Sequence, residues 1–323
     1  MNANDPIENA IVERLVENWP RRASVKRRGV AVDDSFDFDR PDYPERLLPF
    51  CDHVLYRQLP ADMKSRILGW AWVAFNKNIV DIEQYVVNPG FALLAAGTFD
   101  SGLGETATTA VVQAMVDEQY HTLLHLDASA TMRRRRGWSM PETALPLAYK
   151  ARRHRQRMQG AVHPWQHELT SLAYTTAAEI SVNAYLDLVA DDEYIQPLHR
   201  ATASLHSRDE YCHAQIAAEI VKAVYPRFDE ERRRFFLDAL ADGMEAFAAN
   251  DFATWYRIVD LAAVPDGAPM IQAVEQDPRR KRIFQDFSGL RSLCREMNVL
   301  EDLHFDWSSV TFGGTSDTKA LSP

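Results

Sequence analysis

Cysteine is scarce in this chain of 323 residues: only Cys51, Cys212 and Cys294 occur, an odd number at unrelated spacings. They offer no disulfide framework, and Met1 to Pro20 is broken by charges with no apolar leader, so the chain reads as reduced, unsecreted and cytoplasmic. No window approaches the uninterrupted apolar length of a membrane span, which argues against an integral membrane protein. Positive charge is not in excess either. The 36 Lys and Arg against 46 Asp and Glu leave a formal charge of −10, unsuited to nucleic acid or to an anionic membrane surface. No glycine-rich flavin or nicotinamide fingerprint precedes a helix. Alternation of the strand type is scarce throughout, so the class is all-α.

What is present is helical periodicity carrying the wrong residues. Residues 1–60 mix proline and charge and read as an arm packed on the body. Residues 61–300 read as one helical domain and 301–323 as an irregular tail. Ala61 to Val86 carries Ile67, Trp70, Val73, Val80 and Glu83 near one stripe, with Asn88-Pro89-Gly90 as a strong stop. From Thr106 to about Thr131 the stripe is Val111, Ala114, Met115, Glu118, His121, Thr122 and His125, followed by a polar interruption at Arg133 to Arg136. His167 to about Ala190 presents Leu172, Thr175, Thr176, Glu179, Val182, Asn183 and Leu186. Gln196 to Tyr225 presents Ala203, His206, Glu210, His213, Ala214 and Ala217. Further helices are expected over 230–249, 251–263 and 278–297.

Glutamates and histidines thus stand where core residues belong, and their order repeats. A lone Glu83 is followed after 35 residues by Glu118-x-x-His121, and a lone Glu179 after 31 by Glu210-x-x-His213. Composition alone yields roughly 0.6 Glu-x-x-His in a chain with this many of each residue, and three occur. The third, Glu301 to His304, lies near the polar C-terminus without a lone-Glu helix and reads as accidental. A Glu and a His three apart share one helix face and can grip one ion. Two such helices and two single-Glu helices supply four carboxylates and two imidazoles, the donor set of a carboxylate-bridged two-metal helical bundle, iron or manganese by donor type. A single glutamate on a helix is ordinarily just a solvated helix former. Four in apolar stripes without a facing Lys or Arg need a counter-charge, since an unpaired buried carboxylate costs several kcal/mol.

His206 lies one turn before Glu210, giving His-x-x-x-Glu-x-x-His on one face, and reads as a seventh ligand; His125 reads instead as a hydrogen-bonded core histidine. Asp117 and Asp209 each precede a ligand glutamate, placed to accept the free N–H of the opposite half's histidine or, equally, to lie on the helix surface. Cys212 points off the stripe and reads as packing. The basic stretch of Arg133 to Arg136, Lys150, Arg152, Arg153 and Arg155 suits an acidic carrier protein, but a solvated face balanced by acidic neighbours explains it better.

Beyond the bundle, Trp19-Pro20-Arg21-Arg22, Pro41-Asp42-Tyr43-Pro44, Ile195-Gln196-Pro197 and Asp286-Phe287-Ser288-Gly289 accompany the ligand blocks, and over most of its length the chain resembles the p-aminobenzoate N-oxygenase family. The resemblance implies a ferritin-like di-iron core with Glu83, Glu118, His121, Glu179, His206, Glu210 and His213 as metal ligands. It implies that two irons and O₂, with an external electron donor such as a reductase, oxidise an amine through a peroxo-diferric species to hydroxylamine, nitroso or nitro products, in biosynthesis of secondary metabolites. A homodimer is compatible with it.

The departure is in the pocket. Phe75 and Asn78 stand where the p-aminobenzoate member carries a tyrosine and an arginine, so with Asn183 they outline a pocket lacking the bidentate partner of a benzoate carboxylate. Lys77 is expected to point elsewhere. The expected substrate is an amine without a free carboxylate, as a small molecule or held on a carrier protein. Two other functions share the donor set: a ferritin-like iron oxidation and storage protein, and a di-iron hydroxylase or desaturase acting on carbon. The first would be shorter, without the long arm and tail, and would assemble into a shell; the second normally lacks the extra imidazole.

Overall fold

The computed structural model describes residues 6–26 and 36–309. Its helices run in the order α1 (Pro6–Arg22), α2 (Val54–Arg57), α3 (Ala61–Ile82), α4 (Asn88–Ala95), α5 (Gly104–Arg136), α6 (Tyr149–Gln159), α7 (Pro164–Ser181), α8 (Asn183–Ala190), α9 (Pro197–Val224), α10 (Glu230–Ala248), α11 (Phe252–Leu261), α12 (Gly267–Gln276) and α13 (Ser288–Glu296). The protein is all-α. Among the described residues the isolated strand-type pairing is one bridge, Ala249 to Arg282, and no helix is long and apolar enough to cross a membrane.

Local chemistry sets most of the ends. Pro197 opens α9, where its missing N–H is no loss, and Asp229 caps α10 by accepting from the backbone N–H of Arg232 at 2.9 Å. Gly137, at φ 66°, ends α5 in the left-handed region that a residue with a Cβ adopts at a cost. Helix α5 therefore runs through Arg133–Arg136, which the sequence suggested was a polar break; arginine is a good helix former and favours a C-terminal turn. Conversely, residues 281–287 are non-helical and α13 begins only at Ser288, while α12 fills a span expected to be loop.

Asn88-Pro89-Gly90 is not a stop. The chain passes from α3 through a π-helical turn, Glu83–Val87, straight into α4, because Pro89 sits in the first turn, where a helix needs no N–H. The Asn88 backbone N–H donates to the Glu83 carbonyl, five residues back, and Asn88 Nδ2 donates to the same oxygen at 3.0 Å. Gly90 lies so close to α7 that a Cβ there would sit 2.0 Å from Thr175 Oγ1, so the small residue permits the approach rather than ending the helix.

Helices α3, α5, α7 and α9 pack around one another, with α8 continuing α7 along α9, α10 covering α7, and α1 lying against α5 and α9. The apolar core divides into two clusters. Along α5, Ala114 belongs to the first and Ala128 to the second; along α9, Ile216 and Ala203 do the same. The residues between those markers are the glutamates and histidines of the two stripes. A polar belt therefore crosses the middle of the bundle, walled by hydrocarbon on either side.

Candidate metal centre

Glu83 sits at the π turn, Glu118 and His121 on α5, Glu179 on α7, and His206, Glu210 and His213 on α9, all buried. Two groups of donor atoms come close enough to hold an ion: Glu118, His121, His206 and Glu210 in one, and Glu118, Glu179, Glu210 and His213 in the other. Glu118 and Glu210 occur in both, which suits them to bridge two cations. Glu83 stands beside the first group, its Oε1 3.8 Å from His206 Nε2.

The donors fit a metal by what they leave unpaired. Oε2 of Glu83, Oε1 of Glu118, Oε2 of Glu179 and Nδ1 of His213 are buried without a hydrogen-bond partner. Such atoms are costly unless something not made of protein meets them. His213 Nδ1 lies 2.5 Å from Glu118 Oε1 yet too poorly aligned for a hydrogen bond.

Each histidine is turned by a partner behind it. His121 Nε2 faces Asp209 Oδ2 at 3.3 Å and His213 Nε2 faces Asp117 Oδ2 at 3.2 Å, so each aspartate serves the histidine of the opposite half. With the Nε2 proton directed at a carboxylate, Nδ1 is the nitrogen that would be left for a metal in the cluster. His206 is oriented the other way round. Asn76 Nδ2 donates to the Trp72 carbonyl at 2.7 Å, leaving its Oδ1 to accept from His125 Nδ1 at 2.8 Å. His125 Nε2 is then an acceptor, and it faces His206 Nδ1 at 2.9 Å. The chain places the His206 proton on Nδ1, so Nε2, 3.0 Å from Glu210 Oε1, is the nitrogen that would be left for a metal. His125 is a hydrogen-bonded core histidine, and what it does there is set the tautomer of a neighbour.

Electrostatics follow from the crowding. Burial, with the adjoining carboxylates, pushes Glu83 and Glu179 well above the usual carboxylate range. Burial also acts on Glu210, but His213 and the other imidazoles hold it well below that range. Burial alone would strip His121 and His213 of charge; Glu118 and its neighbours keep both imidazoliums well above the usual range. Protons and divalent cations would offset the same crowded carboxylates, so metal binding here would release protons.

The arm reaches this centre, which periodicity did not reveal. Trp19 Nε1 donates to both oxygens of Asp117 at 3.0 and 2.9 Å, and the Ser24 backbone N–H donates to Asp209 at 3.1 Å. Arg208 ties Ser24 down by donating to its Oγ at 2.5 Å. Each histidine–aspartate pair therefore ends on residues 19–24. Trp19→Phe is expected to lower metal affinity about 10-fold, the smaller effect typical of groups behind a ligand, with helicity unchanged. Chelator competition measures it, and wild-type affinity would remove Trp19 from this role.

Beside Glu83 opens a cavity of about 110 Å³, lined on the ring side by Tyr43, Phe75, Tyr185 and Trp255 and on the polar side by Asn78 and Lys150. Phase by phase along α3, Phe75 and Asn78 reach it, and so does Lys77, against expectation; its ammonium is spent on Asp81 Oδ2 at 2.6 Å. Asn183 does not line it. The turn at Val182 between α7 and α8 brings Val182 and Leu186 to the wall and leaves the Asn183 carboxamide accepting from Ser207 Oγ at 3.2 Å. The basic stretch is likewise not one face. Arg133 pairs with Glu142, Arg136 with Asp42, Arg152 with Asp251 and Arg153 with Asp242, while Lys150 is buried in the cavity wall. The third Glu-x-x-His, at Glu301 and His304, lies on an exposed turn.

Comparison with known proteins agrees with this chemistry. The family model described as P-aminobenzoate N-oxygenase AurF matches residues 5–298. A 4-aminobenzoate N-oxygenase of Streptomyces thioluteus is 31% identical over 303 residues, covering 93% of this chain and 90% of that protein.

Proposed function

The chain belongs to the p-aminobenzoate N-oxygenase family, and from that premise we propose that it is a di-iron enzyme that oxygenates the nitrogen of an aromatic amine. Glu83, Glu118, His121, Glu179, His206, Glu210 and His213 are the ligands in this reading, with Glu118 and Glu210 shared between the ions. The first oxygenation consumes the amine, O₂, two electrons and two protons and yields hydroxylamine and water. Reduced iron held there would supply the activation of O₂, and an external donor, a reductase in the cell, the electrons.

The residues themselves do the placing. Asp117 and Asp209 keep the imidazoles of His213 and His121 turned with Nδ1 inward. Phe75, Tyr185 and Trp255 wall the cavity with flat apolar surface that accepts an aromatic ring and excludes water from the neighbourhood of Glu83.

The observation that carries the reading is His206, whose Nε2 is aimed into the cluster by the Asn76–His125 chain. It adds an imidazole to a donor set otherwise shared with iron-storage proteins and carbon hydroxylases. Protein loaded with ferrous iron and given O₂, a chemical reductant and a panel of arylamines is expected to give products heavier by one oxygen on nitrogen, read by mass spectrometry. Oxygen found only on carbon, or iron deposited with every amine intact, would sink it.

A further inference from the structure

Three buried hydroxyls on α7 and α9 donate to the carbonyl four residues back in their own helix: Thr176 to Leu172 at 2.7 Å, Ser181 to Ala177 at 2.6 Å and Thr202 to Leu198 at 2.9 Å. Thr175 is turned elsewhere. Its buried Oγ1 leaves α7 and donates to the Val86 carbonyl of the π turn at 3.1 Å. The neighbouring carbonyls of that turn are also met by side chains. Pro89 has no N–H to offer the Tyr85 carbonyl four residues before it, and the His154 imidazole of α6 donates there. The Glu83 carbonyl takes both donors of Asn88. Glu83 thus begins a turn whose carbonyls are secured from three helices, α4, α6 and α7.

We propose that Thr175 is a positioning residue for Glu83: its hydroxyl fixes the π turn in the register that sends the Glu83 carboxylate into the cluster beside His206. This rests on the reading of Glu83 as a metal ligand. A π turn carries one residue more than the α-helix around it, and absorbing that residue would rotate Glu83 by about 100° relative to α4. Neither flanking helix can take up such a rotation. Helix α3 is embedded in the apolar core through Ile67, Trp70, Trp72 and Ile79. Helix α4 is clamped to α7, where a Cβ on Gly90 would meet Thr175 Oγ1 at 2.0 Å. The slack lies in Glu83–Val87, and Thr175 closes it.

Thr175 also lies one turn before Glu179 on the same face of α7, so that helix supplies one ligand and anchors the backbone of another. The hydroxyl and the bulk of the side chain can be separated. Thr175→Val keeps the shape beside Gly90 and takes the donor from the Val86 carbonyl, whereas Thr175→Ser keeps the donor and loses a methyl group.

The test is stepwise titration of the metal-free full chain with cobalt(II) under argon, followed by visible absorption and chelator competition. Glu83→Ala first identifies the binding step that depends on that carboxylate. Thr175→Val is expected to weaken the same step about 10-fold and to leave the other at its wild-type value, with Thr175→Ser close to wild type. The cobalt absorption of that step should intensify, as it does when coordination number falls. Added to Glu83→Ala, Thr175→Val should cost nothing further at that step, because the group it positions is already gone. Wild-type affinity in Thr175→Val with only Tm lowered, equal weakening of both ions, or a 10-fold loss that persists in the Glu83→Ala background overturns the proposal and leaves Glu83 a ligand. A Glu83→Ala protein that binds both ions as the wild type does overturns the ligand reading of Glu83, and the role of Thr175 with it.

Discussion

Glu210→Ala is expected to abolish N-oxygenation, by about 10³-fold or more, and to reduce bound metal from two ions to none. Glu210 Oε1 lies 3.3 Å from His121 Nδ1, 3.0 Å from His206 Nε2 and 3.3 Å from His213 Nδ1, so it stands between the histidines of both halves. It belongs to both candidate donor groups, and its removal takes a negative charge from each. Glu210→Gln keeps the volume and removes the charge, which separates loss of a ligand from loss of packing. Metal content by elemental analysis, and the rise in Tm on adding ferrous iron anaerobically, check it. The wild type should gain stability by mass action and both variants should not. Two ions retained in Glu210→Gln with normal turnover would show that this carboxylate is not shared.

His206→Ala is expected to leave a folded bundle, to weaken one of the two ions 10- to 100-fold, and to lower N-oxygenation by about two orders of magnitude. The mutation removes a neutral nitrogen donor and leaves His125 Nε2 facing a hole, which costs about 1–3 kcal/mol of stability as a buried acceptor loses its donor. His125→Gln separates the two effects. Its carboxamide can still accept from His206 Nδ1 and donate to Asn76, so it should retain most activity, whereas His125→Phe should behave as a weaker His206→Ala. Denaturant melts give the stability change and stepwise iron titration under argon the affinities. Undiminished oxygenation in His206→Ala would return His206 to the role of a core histidine.

The helices that carry the centre were legible because a 3.6-residue period places i, i+3 and i+4 on one face whatever lies opposite. Glu118 with His121, and His206 with Glu210 and His213, needed nothing more. Helix ends were less legible. Asn88-Pro89-Gly90 satisfied every local rule for a stop, but Pro89 can equally open a helix, and the space beside Thr175 that demands Gly90 belongs to α7. Asn183 shared the stripe of Glu179 on paper and lost it to the turn at Val182.

Partners distant in the chain were the harder part. Trp19 meets Asp117 across 98 residues and Ser24 meets Asp209 across 185, and no periodicity links them. Lys150 looked like one member of a solvated basic run because its neighbours at 152 and 153 are; on a helix those neighbours point elsewhere, and only the packing of α6 buries position 150.

By itself, then, the sequence determined the candidate donors: which carboxylates and imidazoles exist, which share a helix face, and that so many in apolar stripes call for a counter-charge. Tertiary structure decided which imidazole nitrogen turns inward, how the arm secures it, and which side chains line the cavity beside Glu83. The division has one physical cause. Covalent spacing along a helix orients side chains relative to their own axis, whereas tautomer, burial and counter-charge depend on atoms brought near only when separate helices pack.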